Sequence, residues 1–146
     1  MPDTLKDTIR QDLNAARRDR DKLRTMVLTT LLAEVRNREI EVGHELADGE
    51  VQAVVTTAIK RRREAAEQMR GGGREELAQK EDQEAALLQA YLPPQLSEAE
   101  VRALVREAIA AGAADLGSAM KALTPKTKGR FDGRELNRIV REEIGG

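Results

Sequence analysis

The stretch YLPPQLSEAE, from Tyr91 to Glu100, limits this chain more than any other. Two consecutive prolines supply no backbone donors, and each disfavours helical geometry in the residue before it, so a helix must end ahead of Pro93. Ser97 and Glu100 then stand three apart, the spacing of a capping box, and open a new helix. Terminator, extended dipeptide and initiator follow one another directly, which predicts a boundary between a domain at 1–92 and one at 93–146.

On both sides of that boundary the apolar residues follow the 3.6-residue period. Leu5, Ile9, Leu13 and Ala16 predict a helix over 4–18, and Leu23, Met26, Val27, Leu28, Leu31, Leu32 and Val35 a longer one from Lys22 to about Val42. Asp48 stands where it would cap a third helix, carrying Val51, Val54, Val55, Ala58 and Ile59 to about Met69. The glycines at 71, 72 and 73 stop it, at about 1 kcal/mol each relative to alanine. Leu77, Leu87, Leu88 and Tyr91 mark a fourth helix from about Glu75.

Beyond the prolines, Val101, Leu104, Val105, Ala108 and Ile109 form a fifth helical stripe, closed by Gly112. Asp115 caps a sixth helix with Leu116, Ala119, Met120 and Leu123 inward, ended by Pro125. Asp132 and Glu135 read as a capping box for a seventh, which buries Leu136, Ile139, Val140 and Ile144. The expected fold is all-α, with an N-terminal domain of about four helices and a small C-terminal three-helix domain.

Composition excludes several kinds of chemistry. The chain has no cysteine, so thiolate nucleophiles and thiolate metal ligands are ruled out. One tyrosine and one phenylalanine cannot build a base-stacking platform. Neither G-x-x-x-x-G-K-[ST], G-x-G-x-x-G nor G-x-S-x-G occurs. The single His44 lies in EVGHELADG without a second imidazole at ligand spacing, and Glu41, Glu45, Asp48 and Glu50 do not follow the spacing of a calcium loop. No catalytic residue, metal site or cofactor is expected. No apolar run approaches the ~20 residues of a membrane helix, and the N-terminus does not read as a secretory signal, so a cytoplasmic location is expected.

Two basic clusters remain. Lys60-Arg61-Arg62-Arg63 lies within the third helix, where Lys60 with Glu64 and Arg63 with Glu67 fit i,i+4 pairing and read as a solvated face. The other lies in GSAMKALTPKTKGRFDGRELNRIV and continues to Arg141. From Gly117 to Arg141 seven cations face only Asp132 and Glu135, a surplus of five in a chain of net charge -1. Arg134, Arg138 and Arg141 share one helix face opposite Leu136, Ile139 and Val140. Lys126, Lys128 and Arg130 precede them in a turn where Gly129 and Gly133 permit close backbone approach. The residues alone leave two readings open, a polar turn with a solvated helix face and a phosphate-binding surface.

YLPPQLSEAE together with GSAMKALTPKTKGRFDGRELNRIV resembles the YqeY family, also described as GatB/YqeY domain-containing proteins, small bacterial cytosolic proteins; the resemblance covers essentially the whole chain. It implies a C-terminal domain similar to the tail of the B subunit of the glutamyl/aspartyl-tRNA amidotransferase, which contacts tRNA while catalysis resides elsewhere. On that basis Lys121, Lys128, Arg130 and Asn137 join the candidate RNA contacts, Gly117, Gly129 and Gly133 serve backbone geometry, and Met120 and Val140 belong to the core. The expected role is non-catalytic binding of tRNA or other structured RNA, with no specific DNA partner and no membrane. The alternatives are a protein-interaction module working through the N-terminal domain, and an accessory of tRNA-dependent amidation to which carbon-nitrogen ligase activity with glutamine as amide donor would be attached by family.

Overall fold

A computed structural model describes residues 3–145. Seven helices make up the described fold: α1 (Leu5–Arg18), α2 (Lys22–Val42), α3 (Asp48–Gly71), α4 (Glu75–Gln89), α5 (Glu98–Ala110), α6 (Leu116–Thr127) and α7 (Gly133–Gly145). No strand occurs among the described residues, and the class is all-α. The chain divides into two compact units between Leu92 and Pro93.

In the first unit α1 pairs with α2 and α3 with α4. Ile9 and Leu13 meet Val27, Leu28, Leu31 and Val35 of α2, Val51, Val55 and Ile59 of α3 and Leu88 of α4 in one core. Polar contacts then fix the ends of the helices. Lys6 is buried and bonds Glu39 and Glu45, each at 2.8 Å, while Glu39 also accepts the Leu46 amide at 2.9 Å. These bonds anchor the α2–α3 loop to α1. The bonds from Glu39 and Glu45 raise the Lys6 pKa, and the bond from Lys6 lowers that of Glu39. The Tyr91 hydroxyl donates to Asp12 at 2.6 Å, so the chain leaving α4 is tied to α1.

Asp48 corrects the expected capping scheme. It is the first residue of α3, Ala47 holds the cap position, and the Asp48 carboxylate accepts the amide of Leu5, the first residue of α1, at 2.9 Å. That amide is one of the donors a helix leaves unsatisfied at its N-terminus, and a residue 43 positions away supplies its acceptor.

The second unit is a three-helix bundle in which α5, α6 and α7 each pack on the other two. Its core is Val101, Val105, Ala119, Leu123, Leu136, Ile139 and Val140. Ser97 and Glu100 form the expected capping box. Asp115 caps α6 through the Ser118 amide at 2.8 Å.

Pro125 does not end α6, which continues to Thr127. A proline supplies no amide for the carbonyl four residues earlier, here that of Lys121, and crowds it, but only two residues of α6 follow. The hydroxyls of Thr124 and Thr127 meanwhile serve the carbonyls of Met120 at 2.6 Å and Leu123 at 3.0 Å.

Asp48→Ala should destabilise the protein by about 1 kcal/mol, in line with loss of a helix cap. Asp48→Asn, which keeps an acceptor, should recover most of the loss. Urea unfolding followed by hydrogen exchange at the Thr8 and Ile9 amides checks both.

Candidate nucleic-acid interface

The turn joining α6 to α7 is built on glycine geometry and on the proline segment. Gly129 has φ +74, a left-handed conformation in which a side chain is strained. Its carbonyl accepts from the Gln95 side-chain amide at 2.9 Å. The Arg130 carbonyl accepts the Leu96 amide at 2.8 Å, and the Arg130 guanidinium returns a bond to the Pro94 carbonyl at 3.0 Å. Arg130 is therefore half-buried and holds the turn, with several of its guanidinium N–H groups left over.

Gly117 and Gly133 do not have the backbone role expected of them. Neither has positive φ, both lie in the first turn of a helix, and an added methyl would meet open space at Gly133 and ordinary contact with Asp115, 3.6 Å away, at Gly117.

The expected arginine face of α7 divides in two. Arg138 bonds Glu142 at 2.6 Å, Glu135 at 2.7 Å and Glu98 of α5 at 2.9 Å. Arg102 bonds Glu142 at 2.7 Å and both Glu98 and Glu143 at 3.1 Å, and Arg106 reaches Glu143 at 3.2 Å. A chain of alternating charges thus clamps α5 to α7.

The same contacts undo the second capping box. Asp132 accepts the amides of Arg134 at 2.7 Å and Glu135 at 3.2 Å, but the Glu135 carboxylate goes to Arg138. Bonds from Arg138 and Arg102 lower the Glu98 pKa, those from Arg102 and Arg138 lower Glu142, and those from Arg106 and Arg102 lower Glu143. The partner carboxylates, Glu135 first, push Arg138 upward.

On the other flank of α7, Arg134, Asn137 and Arg141 are spaced three and four apart and lie within about 60° on a helix turning ~100° per residue. Arg134 and Arg141 are exposed, and Asn137 is half-buried. Lys121 and Lys126 of α6 and Lys128, which follows its last residue, are exposed as well.

Between positions 93 and 146 nine Lys and Arg stand against eight Asp and Glu, so the unit is nearly neutral overall. Its ion pairs join Glu98, Glu135, Glu142 and Glu143 to Arg102, Arg106 and Arg138. Among the described residues Lys121, Lys126, Lys128, Arg130, Arg134 and Arg141 form no ion pair. Asp115 and Asp132 are occupied as helix caps. The positive charge is therefore segregated rather than neutralised, and it lies around the α6–α7 turn and one flank of α7. Helical spacing fits three contacts of the clamp that the sequence reading missed, Glu98–Arg102, Glu135–Arg138 and Arg138–Glu142, but nothing in the sequence points to Gln95 as a support of the turn.

In the first unit, Lys60, Arg61 and Arg63 are exposed, and neither expected i,i+4 pair forms. Arg62 instead turns inward, 3.6 Å from Glu84, where loss of solvent, followed by the neighbouring Glu81, raises the Glu84 pKa. His44 lies exposed in the α2–α3 loop. Its Nδ1 is 2.9 Å from the Glu45 carbonyl and its Nε2 is 3.9 Å from Glu50. Among the described residues no three His, Asp or Glu side chains are grouped as metal ligands would be, and no helix is long and apolar enough to cross a membrane.

The molecule is thus an all-α protein of two helical units, the second carrying a segregated cationic turn. The chain belongs to the family of Yqey-like proteins, whose family model matches residues 6–144. No curated protein matches it.

Gly129→Ala should destabilise the second unit by about 1 kcal/mol through its left-handed backbone, whereas Gly133→Ala should be at least as stable as wild type; thermal unfolding separates them. Glu98, Glu142 and Glu143 have pKa values below their ordinary 4.5 when folded, so the stability they contribute is full above that value and is lost as pH falls through the folded values. Exchange protection at Leu136 and Val140 should therefore decline as pH falls below 4.5, and Arg138→Gln should make that decline shallower.

Proposed function

We propose that this protein binds tRNA or another structured RNA through its second unit, without catalysis of its own, and serves tRNA-dependent amidation as a binding partner. The observation that carries this reading is the segregation of charge. Four carboxylates of the unit, Glu98, Glu135, Glu142 and Glu143, pair with Arg102, Arg106 and Arg138, while among the described residues Lys126, Lys128, Arg130, Arg134 and Arg141 stay unpaired around one turn and one helix flank.

Unpaired lysines and arginines suit phosphate oxygens, and binding releases the counterions condensed on the nucleic acid. With one Tyr and one Phe in the whole chain, recognition rests on phosphate and shape rather than on stacked bases. Asn137 adds a neutral donor and acceptor beside Arg134 and Arg141, suited to a ribose hydroxyl. Arg138 holds α5 to α7 and contributes little to the interface. Cytoplasmic placement accords with such a role.

A second reading, a protein-interaction module, draws on the first unit, where Met26, Ile40 and Leu77 are 45%, 71% and 46% exposed. A partner captured after nuclease treatment and lost on Ile40→Glu would favour it.

Titration of unfractionated tRNA at several salt concentrations tests the RNA reading. Lys126→Gln/Lys128→Gln/Arg134→Gln should reduce the log–log salt slope by roughly 2 to 3, at ~0.7–0.9 per phosphate contact. Arg138→Gln should leave it near the wild-type value. Unchanged affinity in the triple variant, with wild-type exchange protection, would sink the site.

A further inference from the structure

The corner between α1 and α2 carries Arg17, Arg18, Arg20 and Lys22, all exposed and none in an ion pair among the described residues. Asp21 is occupied as the cap of α2, accepting the Arg24 amide at 3.1 Å, and Asp12 faces Tyr91 and Arg24. Asp19, the remaining acid of the turn, pairs with none of the four.

Part of this cluster has a purely structural account. Arg17 and Arg18 end α1, where the helix dipole favours cations. For Lys22 that account fails, and for Arg20, just beyond the C-terminus of α1, it covers the charge but not the backbone. Lys22 is the first residue of α2, where the dipole opposes a cation. Arg20 occupies the left-handed position of a Schellman turn, in which the Asp21 amide bonds the Ala16 carbonyl at 2.9 Å and the Arg20 amide bonds that of Arg17 at 3.2 Å. Glycine is the usual residue there. With φ +56, Arg20 is the only non-glycine residue of positive φ among those described. Two side chains are thus held against local stability, and both line one shallow hollow with Arg17, Thr25 and the exposed Met26. Backbone strain retained at a charged, open surface points to a ligand.

We propose that the α1–α2 corner, through Arg17, Arg18, Arg20 and Lys22, is a phosphate-backbone contact for structured RNA on the first unit. The proposal rests on the RNA reading above and adds a separate site to it. A protein or a lipid surface would be a different assignment, and RNA is favoured because four unpaired cations on a tight turn match closely spaced phosphates.

The test compares the full-length wild type, Arg20→Gly/Lys22→Gln and the triple variant of the second unit, each titrated with unfractionated tRNA across salt. Because glycine fits the turn, the corner variant should melt no lower than wild type. Its salt slope should fall by roughly 1.4 to 1.8, the share of two contacts. Wild-type binding by the corner variant while the second-unit variant weakens would overturn the corner and leave the RNA reading intact. A wild type that shows no salt-dependent tRNA binding would overturn both. Unchanged tRNA affinity with lost sedimentation on phosphatidylserine vesicles, or with loss of a nuclease-resistant protein partner, would reassign the corner and overturn the proposal.

Discussion

Two prolines in succession offer no amide donors, so the segment from Pro93 to Leu96 can join a fold only through its carbonyls, the amides of Gln95 and Leu96 and the Gln95 side chain. All three kinds of group are used on a single turn: the Pro94 carbonyl accepts from Arg130, the Leu96 amide reaches the Arg130 carbonyl, and the Gln95 side chain reaches the Gly129 carbonyl. The second unit depends on this lacing. It fixes the start of α5 against the start of α7, and it holds Gly129 in the left-handed conformation that reverses the chain between Lys128 and Arg130. Without it the lysines of the turn would belong to a loose connection rather than to a defined surface.

Charge in this unit follows from what each cation can do. Arginine offers a planar fork of donors, and Arg102 and Arg138 bridge three carboxylates each across α5 and α7. Lysine is a flexible point charge with fewer fixed geometries, and Lys121, Lys126 and Lys128 remain in solvent. The carboxylates are drawn to the α5 side, so the opposite flank keeps its positive charge in a nearly neutral unit. Most pairs in the clamp are exposed and individually weak, Arg102–Glu143 being partly buried, but a connected network is a better stabiliser than isolated pairs.

Helix content, the core and most boundaries were legible because they rest on near neighbours. Ile9 and Leu13, Val101 and Val105, and Leu136 and Val140 are four apart and buried together, and Ser97 with Glu100 formed the box that three-residue spacing indicates. The errors share one cause, a partner distant in sequence or a competitor nearby. Asp48 had the position of a local cap but serves Leu5. Glu135 had the position of a box partner but is taken by Arg138. Periodicity placed Arg138 on an outward face correctly, yet could not show that Glu98, 40 residues earlier, would occupy it. Pro125 failed as an immediate terminator because amides beyond it still bond back, that of Lys128 to the Thr124 carbonyl at 2.9 Å.

The placement of the unpaired cations is also costly to folding. Lys126, Lys128 and Arg130 crowd like charge into one turn, and like charges in the free protein repel one another. The unit can ill absorb this, since its core has only seven buried apolar residues, near the lower limit for independent folding. A stabler arrangement would set a carboxylate among them, as α5 and α7 do for Arg138. Arg20 repeats the pattern in backbone form, a strained residue where glycine would relax the turn. Repulsion at one turn and strain at another both weaken the free protein, and a polyanion would relieve the repulsion and use the strained side chain. That shared logic ties the α6–α7 turn to the α1–α2 corner more firmly than charge counting alone.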